Sequence, residues 1–313
     1  MMTPDRPAET RSVGPDPSTA APSSADPSTA DPSTAAGAAL IGPVPAPGLH
    51  VMSWNIRRRT FALTPRRSDR WQRRAPGLRS LLQAERPTLL GVQEALPDQA
   101  RFVAEALGGA YEHVGHGRGR HATGEASPIY YDADRLELLD WEQRALSDTP
   151  HHLGSRSWGN LIPRSLVAAT FRDRMTTRTF RTLNTHLDHL SHRSRLRAAQ
   201  SIRDLVTASP LPAVFLADLN ARPGSAPVKR LLQDGGLADT WAAAAQRDSQ
   251  EWGTFADYRT PRVGRPRIDW IMASPEVDVA RAAINPARHR GGWPSDHLPV
   301  QAVLHLPQEG EAG

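Results

Sequence analysis

Between Gly48 and Pro307 the chain alternates short apolar runs with polar breaks, and most of these runs have the length and residue types of strands. "HVMSWNI" (His50 to Ile56) reads as a strand closing on Asn55, and "TLLGVQEA" as a buried strand ending at Glu94. "PIYYDADRLELLD" and "SLVAATFRDRMTTRTFRTLNTHLDH" each pair two β-rich runs about a turn, "DAD" or "RDRMTT". They predict two hairpins, the second ending at His186 and Asp188. "LPAVFLADLN" is a fully apolar strand that ends in Asp218 and Asn220, "PRIDWIMAS" carries Asp269 in a strand pattern, and "HLPVQAVLHL" forms the last strand. One helix is expected to start near Pro76, a good first-turn residue, and to bury Leu78, Leu81 and Leu82 before "ERP" stops it. A second is expected from Ser191 to Thr207, where Leu196, Ile202, Leu205 and Val206 lie on or near one stripe. Strands with interspersed helices predict packed sheets with helices outside them, α/β or α+β.

The first 48 residues have no such pattern. From Asp16 to Ala35 they form a five-residue tandem of Pro, Ser, Thr, Ala and Asp, with almost nothing to bury. Such a segment does not offset the entropy of ordering, so residues 1–48 are expected to be a disordered tail, followed by one domain over 49–307 and a short tail over 308–313.

The formal charge of +5 divides into −3 for residues 1–48 and +8 for the remainder. This points to an anionic partner, although nearly every basic residue is Arg, a bias that a GC-rich genome also produces. There are no cysteines among the 313 residues, which excludes disulfides and thiolate metal sites. The N-terminus has no apolar core of signal-peptide length, and "AAGAALIGPVPA" is too short and Pro-broken to span a membrane. A cytoplasmic monomer without stable membrane insertion is the expectation.

Six of the apolar runs deliver polar residues at or near their ends: Asn55, Glu94, His186 with Asp188, Asp218 with Asn220, Asp269, and Asp296 with His297 in "PSDHLPV". If these strands share a sheet system, their ends converge on one rim, where layered α/β folds place ligand sites. Carboxylates and amides without thiolates suit a hard divalent cation such as Mg²⁺ or Mn²⁺ better than zinc. Histidines beside acids are imidazoles oriented or held protonated by carboxylates. The set fits metal-assisted hydrolysis of a phosphoester. "RRRTFALTPRRSDRWQRR", Arg57 to Arg74, directly follows the Asn55 strand; its first members, Arg57, Arg58 and Arg59, are candidates for binding substrate phosphates, and a solvated loop is the alternative.

"SWNIR", "GVQEA", "NTHLDH", "FLADLN", "RIDWIM" and "PSDHLPV", in that order, resemble the endonuclease/exonuclease/phosphatase superfamily of deoxyribonuclease-like phosphoesterases, and "GEASPIYYDADRLELLD" and "RSLVAATF" resemble a bacterial branch of it. The resemblance covers about Val51 to Leu306. It implies a four-layer sandwich, two mainly antiparallel sheets face to face with helices outside. It also implies that Glu94 is the principal metal ligand, with Asn55 and Asp296 at the same metal and phosphate site. Asp218 is then expected to orient or deprotonate the attacking water, and Asn220 to hold the phosphate or that water. His297 is expected to pair with Asp269, and His186 with Glu125 of "GEASPIYY", each pair favouring imidazolium. Asp188 is expected to support His186 or to begin the loop after it.

Three departures stand out. The Gly that usually precedes the acid of "GDFN" is Ala217 here, its Phe is Leu219, and "RALSDTP" lacks an aromatic residue common in that branch. The function implied is a phosphodiesterase, with nucleic acid among the candidate partners. The alternatives are a phosphomonoesterase on the same site and a non-catalytic polyanion-binding protein, which would be expected to have lost a chemical residue.

Overall fold

The structure, a computed structural model, describes residues 1–2, 37–60 and 66–308. The repeat from Asp16 to Ala35 lies outside these residues. The expected boundary of the tail at residue 48 moves toward the N-terminus: the buried Glu85 carboxylate accepts hydrogen bonds from the Leu40, Ile41 and Gly42 amides (2.7, 3.2 and 3.0 Å). Arg135 donates to the Gly48 carbonyl (2.8 Å). Residues 40–48 therefore belong to the folded domain.

Two mixed sheets face each other. The first has seven strands: β1 (Leu49–Asn55), β2 (Leu89–Gln93), β3 (Tyr111–Val114), β4 (Ile129–Asp132), β10 (Gln246–Arg247), β12 (Asp278–Ile284) and β13 (Val300–His305), in the order β10-β12-β13-β1-β2-β4-β3. The second has six strands: β5 (Leu136–Ala145), β6 (Ser165–Asp173), β7 (Thr179–His186), β8 (Ala213–Asp218), β9 (Ala238–Asp239) and β11 (Asp269–Ala273), in the order β5-β6-β7-β8-β11-β9. Most neighbours are antiparallel, whereas β1 with β2, β7 with β8 and β10 with β12 run parallel.

The side-chain period of two explains the layering. On β1, Leu49 and Val51 point between the sheets and pack against Val167, Phe171, Phe180, Val214 and Ile271 of the second sheet. Met52 and Trp54 point the other way, onto Leu78, Leu81 and Leu82 of helix α1 (Trp71–Glu85) and Val103 of α2 (Pro97–Leu107). On the second sheet, Phe215, Ala217 and Met272 face outward onto Ala198, Ile202 and Val206 of α3 (His192–Thr207) and Val228 of α4 (Ala226–Leu232). Both faces of the central strands are buried, which is why they read as unbroken apolar runs. Ala217 fits this arrangement: its methyl group is buried in the outer layer, so the departure from Gly leaves the strand intact.

Several expectations shift. The second predicted hairpin is present, β6 pairing antiparallel with β7. The first is not: β4 pairs with β2 and β3, while β5 pairs with β6 in the opposite sheet. The "DAD" turn is thus a crossing between sheets, fixed by Arg135, which donates to Asp173 at the end of β6 (2.9 Å). Helix α1 starts five residues before Pro76, so that Pro lies inside it and helical residues reach back into the arginine cluster. Helix α3 is where the stripe predicted it, and its N-cap Ser191 accepts from the Ser194 amide (3.1 Å).

Candidate active site

Parity also builds the site. Asn55 follows Val51 by four residues on β1, and Asp218 follows Val214 by four on β8, so both side chains face the interlayer space. Across the second sheet, His186 lies opposite Asp218, and Asp218 opposite Asp269, so three adjacent strands present their polar residues at one level. Beneath them the sheets are pinned by buried amides. Gln93 of β2 donates to the Asn184 side-chain oxygen on β7 (2.8 Å), and the Asn184 amide donates to the Val92 and Pro128 carbonyls (both 2.9 Å). Gly91 permits this approach, since a Cβ there would meet Leu216 Cβ at 2.9 Å.

Asp218 is the hub. Its Oδ2 accepts from the Asn55 amide (2.9 Å) and lies 3.5 Å from His186 Nε2 and 3.9 Å from His297 Nδ1. Its Oδ1 accepts from the Asn220 backbone N–H (2.9 Å), a turn in which Asn220 takes φ of +48°. Burial, aided by the negative charge of Asp269, pushes the Asp218 carboxyl up to about 7. His297 Nδ1 donates to Asp269 Oδ2 at 2.9 Å, and Asp269 is itself fully buried. Burial alone would lower the imidazole, but the Asp269 carboxylate outweighs it and raises His297 to about 10. Thr254 fixes this pair, its hydroxyl oxygen accepting from the Ile268 and Asp269 amides (2.9 and 3.1 Å).

The expected His186–Glu125 pair is not made. Glu125 instead forms ion pairs with Arg118 (2.7 Å) and Arg58 (3.1 Å). His186 Nε2 accepts from the Asn220 side-chain amide (3.0 Å), which also donates to the Leu187 carbonyl (3.1 Å). Burial, reinforced by Arg164 and Arg118, pushes His186 well below the ordinary imidazole value, so the ring is neutral and the expectation of an imidazolium there is corrected.

Glu94 stands just past β2 with φ of +63°. Its Oε1 accepts from the Asn55 amide (3.0 Å) and its Oε2 from the Arg58 backbone N–H (3.0 Å). Burial opposes its charge, but these two N–H donors and the charge on His297 favour it, and the carboxyl is held below the usual range. The Arg57 guanidinium lies between Glu94 Oε2 (3.9 Å), Asp296 Oδ2 (3.6 Å) and Asp69 Oδ1 (3.3 Å). Burial raises Asp296, partly offset by His297 and Arg57.

Two groups of side chains bear on a metal. Asp218, Asp269 and His297 offer ligand atoms within 4.8 Å of one another. However, His297 donates its Nδ1–H to Asp269, which is a hydrogen-bonded pair rather than a set of lone pairs awaiting a cation. Glu94, Asp296 and the Asn55 oxygen fit a hard cation better: all are oxygen donors, and a guanidinium already lies against both carboxylates.

The remaining sequence candidates separate. Arg58 contributes its backbone N–H to Glu94, whereas Arg59 turns away and pairs with Asp98 on α2 (2.7 Å). Asp188 pairs with buried Arg164 (3.3 Å) and accepts from the Ser191 amide (2.7 Å), so it organises the turn into α3. Residues not singled out from sequence are Arg164, whose guanidinium also donates to the His186 carbonyl (3.4 Å), Arg118, Asp69, Thr254 and exposed Phe255, whose ring lies 5.1 Å from His297. Gln93 and Asn184 stood inside quoted motifs, where a buried polar residue one step from a strand end was the available signal.

A sandwich of two sheets whose central strands end in carboxylates, amides and imidazoles defines a phosphoesterase class of folds. The chain belongs to the Endonuclease/Exonuclease/phosphatase family, whose model matches residues 52–297. An endonuclease/exonuclease/phosphatase family protein from Bacteroides thetaiotaomicron has a similar structure, with a TM-score of 0.77 and 27% identity over 83% of this chain and 98% of that one. A mannosyl-6-phosphatase from the same organism superimposes with a TM-score of 0.74 and 27% identity over 82% of this chain and 99% of that one. Protein angel of Drosophila melanogaster is 28% identical over 222 residues, 65% of this chain; the chain spans about 59% of that relative's length. Among the described residues no helix is long and apolar enough to cross a membrane.

Proposed function

We propose that this chain hydrolyses a phosphodiester by in-line attack of water on phosphorus, with Mg²⁺ or Mn²⁺ as cofactor. The observation that carries the reading is that a carboxyl raised to about 7 (Asp218) lies 3.9 Å from an imidazole raised to about 10 (His297). Two titratable groups whose environments separate their acidities in this way suit a base and a cationic partner at neutral pH.

In this reading Asp218 Oδ2 takes a proton from water, while the Asn220 N–H and the Asn55 amide fix the orientation of the carboxylate. His297 spends its Nδ1–H on Asp269 and keeps Nε2–H for a phosphate oxygen. The Asn220 side-chain amide holds the neutral His186 ring and the Leu187 carbonyl beside Asp218. Glu94, Asn55 and Asp296 are the residues that would hold the cation, which when bound offsets charge on the phosphate.

A second reading, phosphomonoester hydrolysis on the same residues, is favoured by the likeness to the mannosyl-6-phosphatase. The two separate in one assay. Purified protein is given bis-p-nitrophenyl phosphate or p-nitrophenyl phosphate, each with Mg²⁺, with Mn²⁺ and with chelator. Faster metal-dependent turnover of the diester supports the first reading, and faster turnover of the monoester the second. No turnover of either with both metals would refute both.

A further inference from the structure

Beside the catalytic rim lies a cavity of about 650 Å³ between α1 and the loop that leads into "PSDHLPV". Its lining includes four arginines, Arg73, Arg74, Arg288 and Arg290, together with His289 and Trp293, and no carboxylate among the described residues. Arg73, Arg288 and Arg290 make no ion pair among the described residues. Arg74 is buried and spends its N–H donors on the carbonyls of Ile56 (2.7 Å), Pro294 (3.1 Å), Arg57 (2.9 Å), Asp69 (3.3 Å) and Arg58 (3.4 Å), so it adds positive charge to the wall but no free donor.

Two buried nitrogens are also without a partner among the described residues: Arg288 Nε and His289 Nε2. His289 is only 2% exposed, and its other ring nitrogen is engaged with the Ser80 hydroxyl (3.2 Å). The frame around them is ordered. The His289 and Gly292 backbones exchange hydrogen bonds (2.9 and 3.2 Å), closing a tight turn with Arg290 at φ of +54° and Gly291 at +80°. The Trp293 indole N–H is fixed on the Pro286 carbonyl (3.0 Å), and the Arg288 guanidinium lies 4.1 Å above the Trp293 ring. Guanidiniums with unspent N–H donors recognise phosphate groups.

We infer that this cavity is a second anion site, built to bind a phosphate group other than the one being cut. It adjoins the catalytic centre through Tyr258, whose hydroxyl donates to Asp69 (2.9 Å), and through Asp69, which pairs with Arg57 between Glu94 and Asp296. The phosphate belongs either to a remote part of the substrate or to a separate small anion. Binding at this site does not rest on the hydrolytic reading; only the assignment of its source does.

The test is titration calorimetry of inorganic pyrophosphate into the full-length chain in chelator. The variants are Arg73→Gln with Arg290→Gln, both exposed side chains, and separately Arg288→Gln, with Glu94→Gln as the control in the catalytic rim. The cavity variants are expected to weaken pyrophosphate binding by about tenfold or more, whereas Glu94→Gln does not. Affinity within about twofold of wild type in both cavity variants, or no binding by the wild type, overturns the site. Turnover of bis-p-nitrophenyl phosphate, which has a single phosphate, is expected to be unchanged by Arg73→Gln with Arg290→Gln. With lost pyrophosphate binding, a raised KM for a 5′-phosphorylated dinucleotide in that variant assigns the cavity to the substrate, and an unchanged KM assigns it to a separate anion.

Discussion

His297 Nδ1 and Asp269 Oδ2 lie 2.9 Å apart, and the carboxylate outweighs the burial that would discharge the ring, so the imidazole stays protonated far above its ordinary range. The charge on His297 is therefore a property of Asp269. Asp269→Asn keeps the shape and removes the charge. It is expected to lower kcat on the preferred ester by about a hundredfold and to move the alkaline limb of the pH profile down from about 10. A limb that stays in place would show that His297 is not the group titrating there.

The wild-type pH profile has its own expected form. Asp218 must be ionised to accept a proton, and burial with the Asp269 charge raises it to about 7, so kcat/KM should rise with pH until about 7. His297 must be protonated to meet phosphate, so the rate should hold and then fall above about 10. A bell centred between these values is the outcome to be checked with a stopped assay across that range.

Glu94→Ala, Asp218→Ala and His297→Ala are each expected to reduce turnover by about a thousandfold while the folded state persists. All three side chains stand at the rim rather than in the apolar clusters between and outside the sheets. Thermal melts followed by circular dichroism, run beside the kinetics, separate lost chemistry from lost fold. Undiminished rates in Asp218→Ala would remove it from the role of base.

Gly91→Ala tests the seam below the site. The added Cβ would meet Leu216 Cβ at 2.9 Å and Asn184 Cγ at 3.0 Å, in a region where both sheets are closely packed. A destabilisation of about 2 kcal/mol is expected in urea melts, with the midpoint shifted and the slope retained.

Much of this was readable beforehand because strand ends are local. The runs closing on Asn55, Glu94, His186 and Asp218 announced themselves by apolar stretches broken by one polar residue, and the structure brings all four together. The His297–Asp269 pair, expected from resemblance, is also made. What the sequence did not reveal depends on contacts distant along the chain. Glu125 lies beside Arg58 and Arg118, 67 and 7 positions away, and electrostatic competition among arginines, rather than any motif, decides its partner. β4 and β5 looked like a hairpin because both are β-rich and separated by a turn; which sheet each joins is decided by the face available to it. Helix α2, which follows Glu94 directly, was unmarked, although its Pro97 start was a usable signal.

The level arrangement of His186, Asp218 and Asp269 across three strands has a consequence for how the molecule polices its own assembly. Displacing β8 by one residue against its neighbours would send Asp218 to the helix side and bring Ala217 or Leu219 to the opening. Under the proposed mechanism a chain folded in the wrong register would be inert as well as unstable. Turnover in such a protein reports on alignment deep in the molecule, and a sensitive activity assay becomes a measure of how many molecules have closed their two sheets correctly.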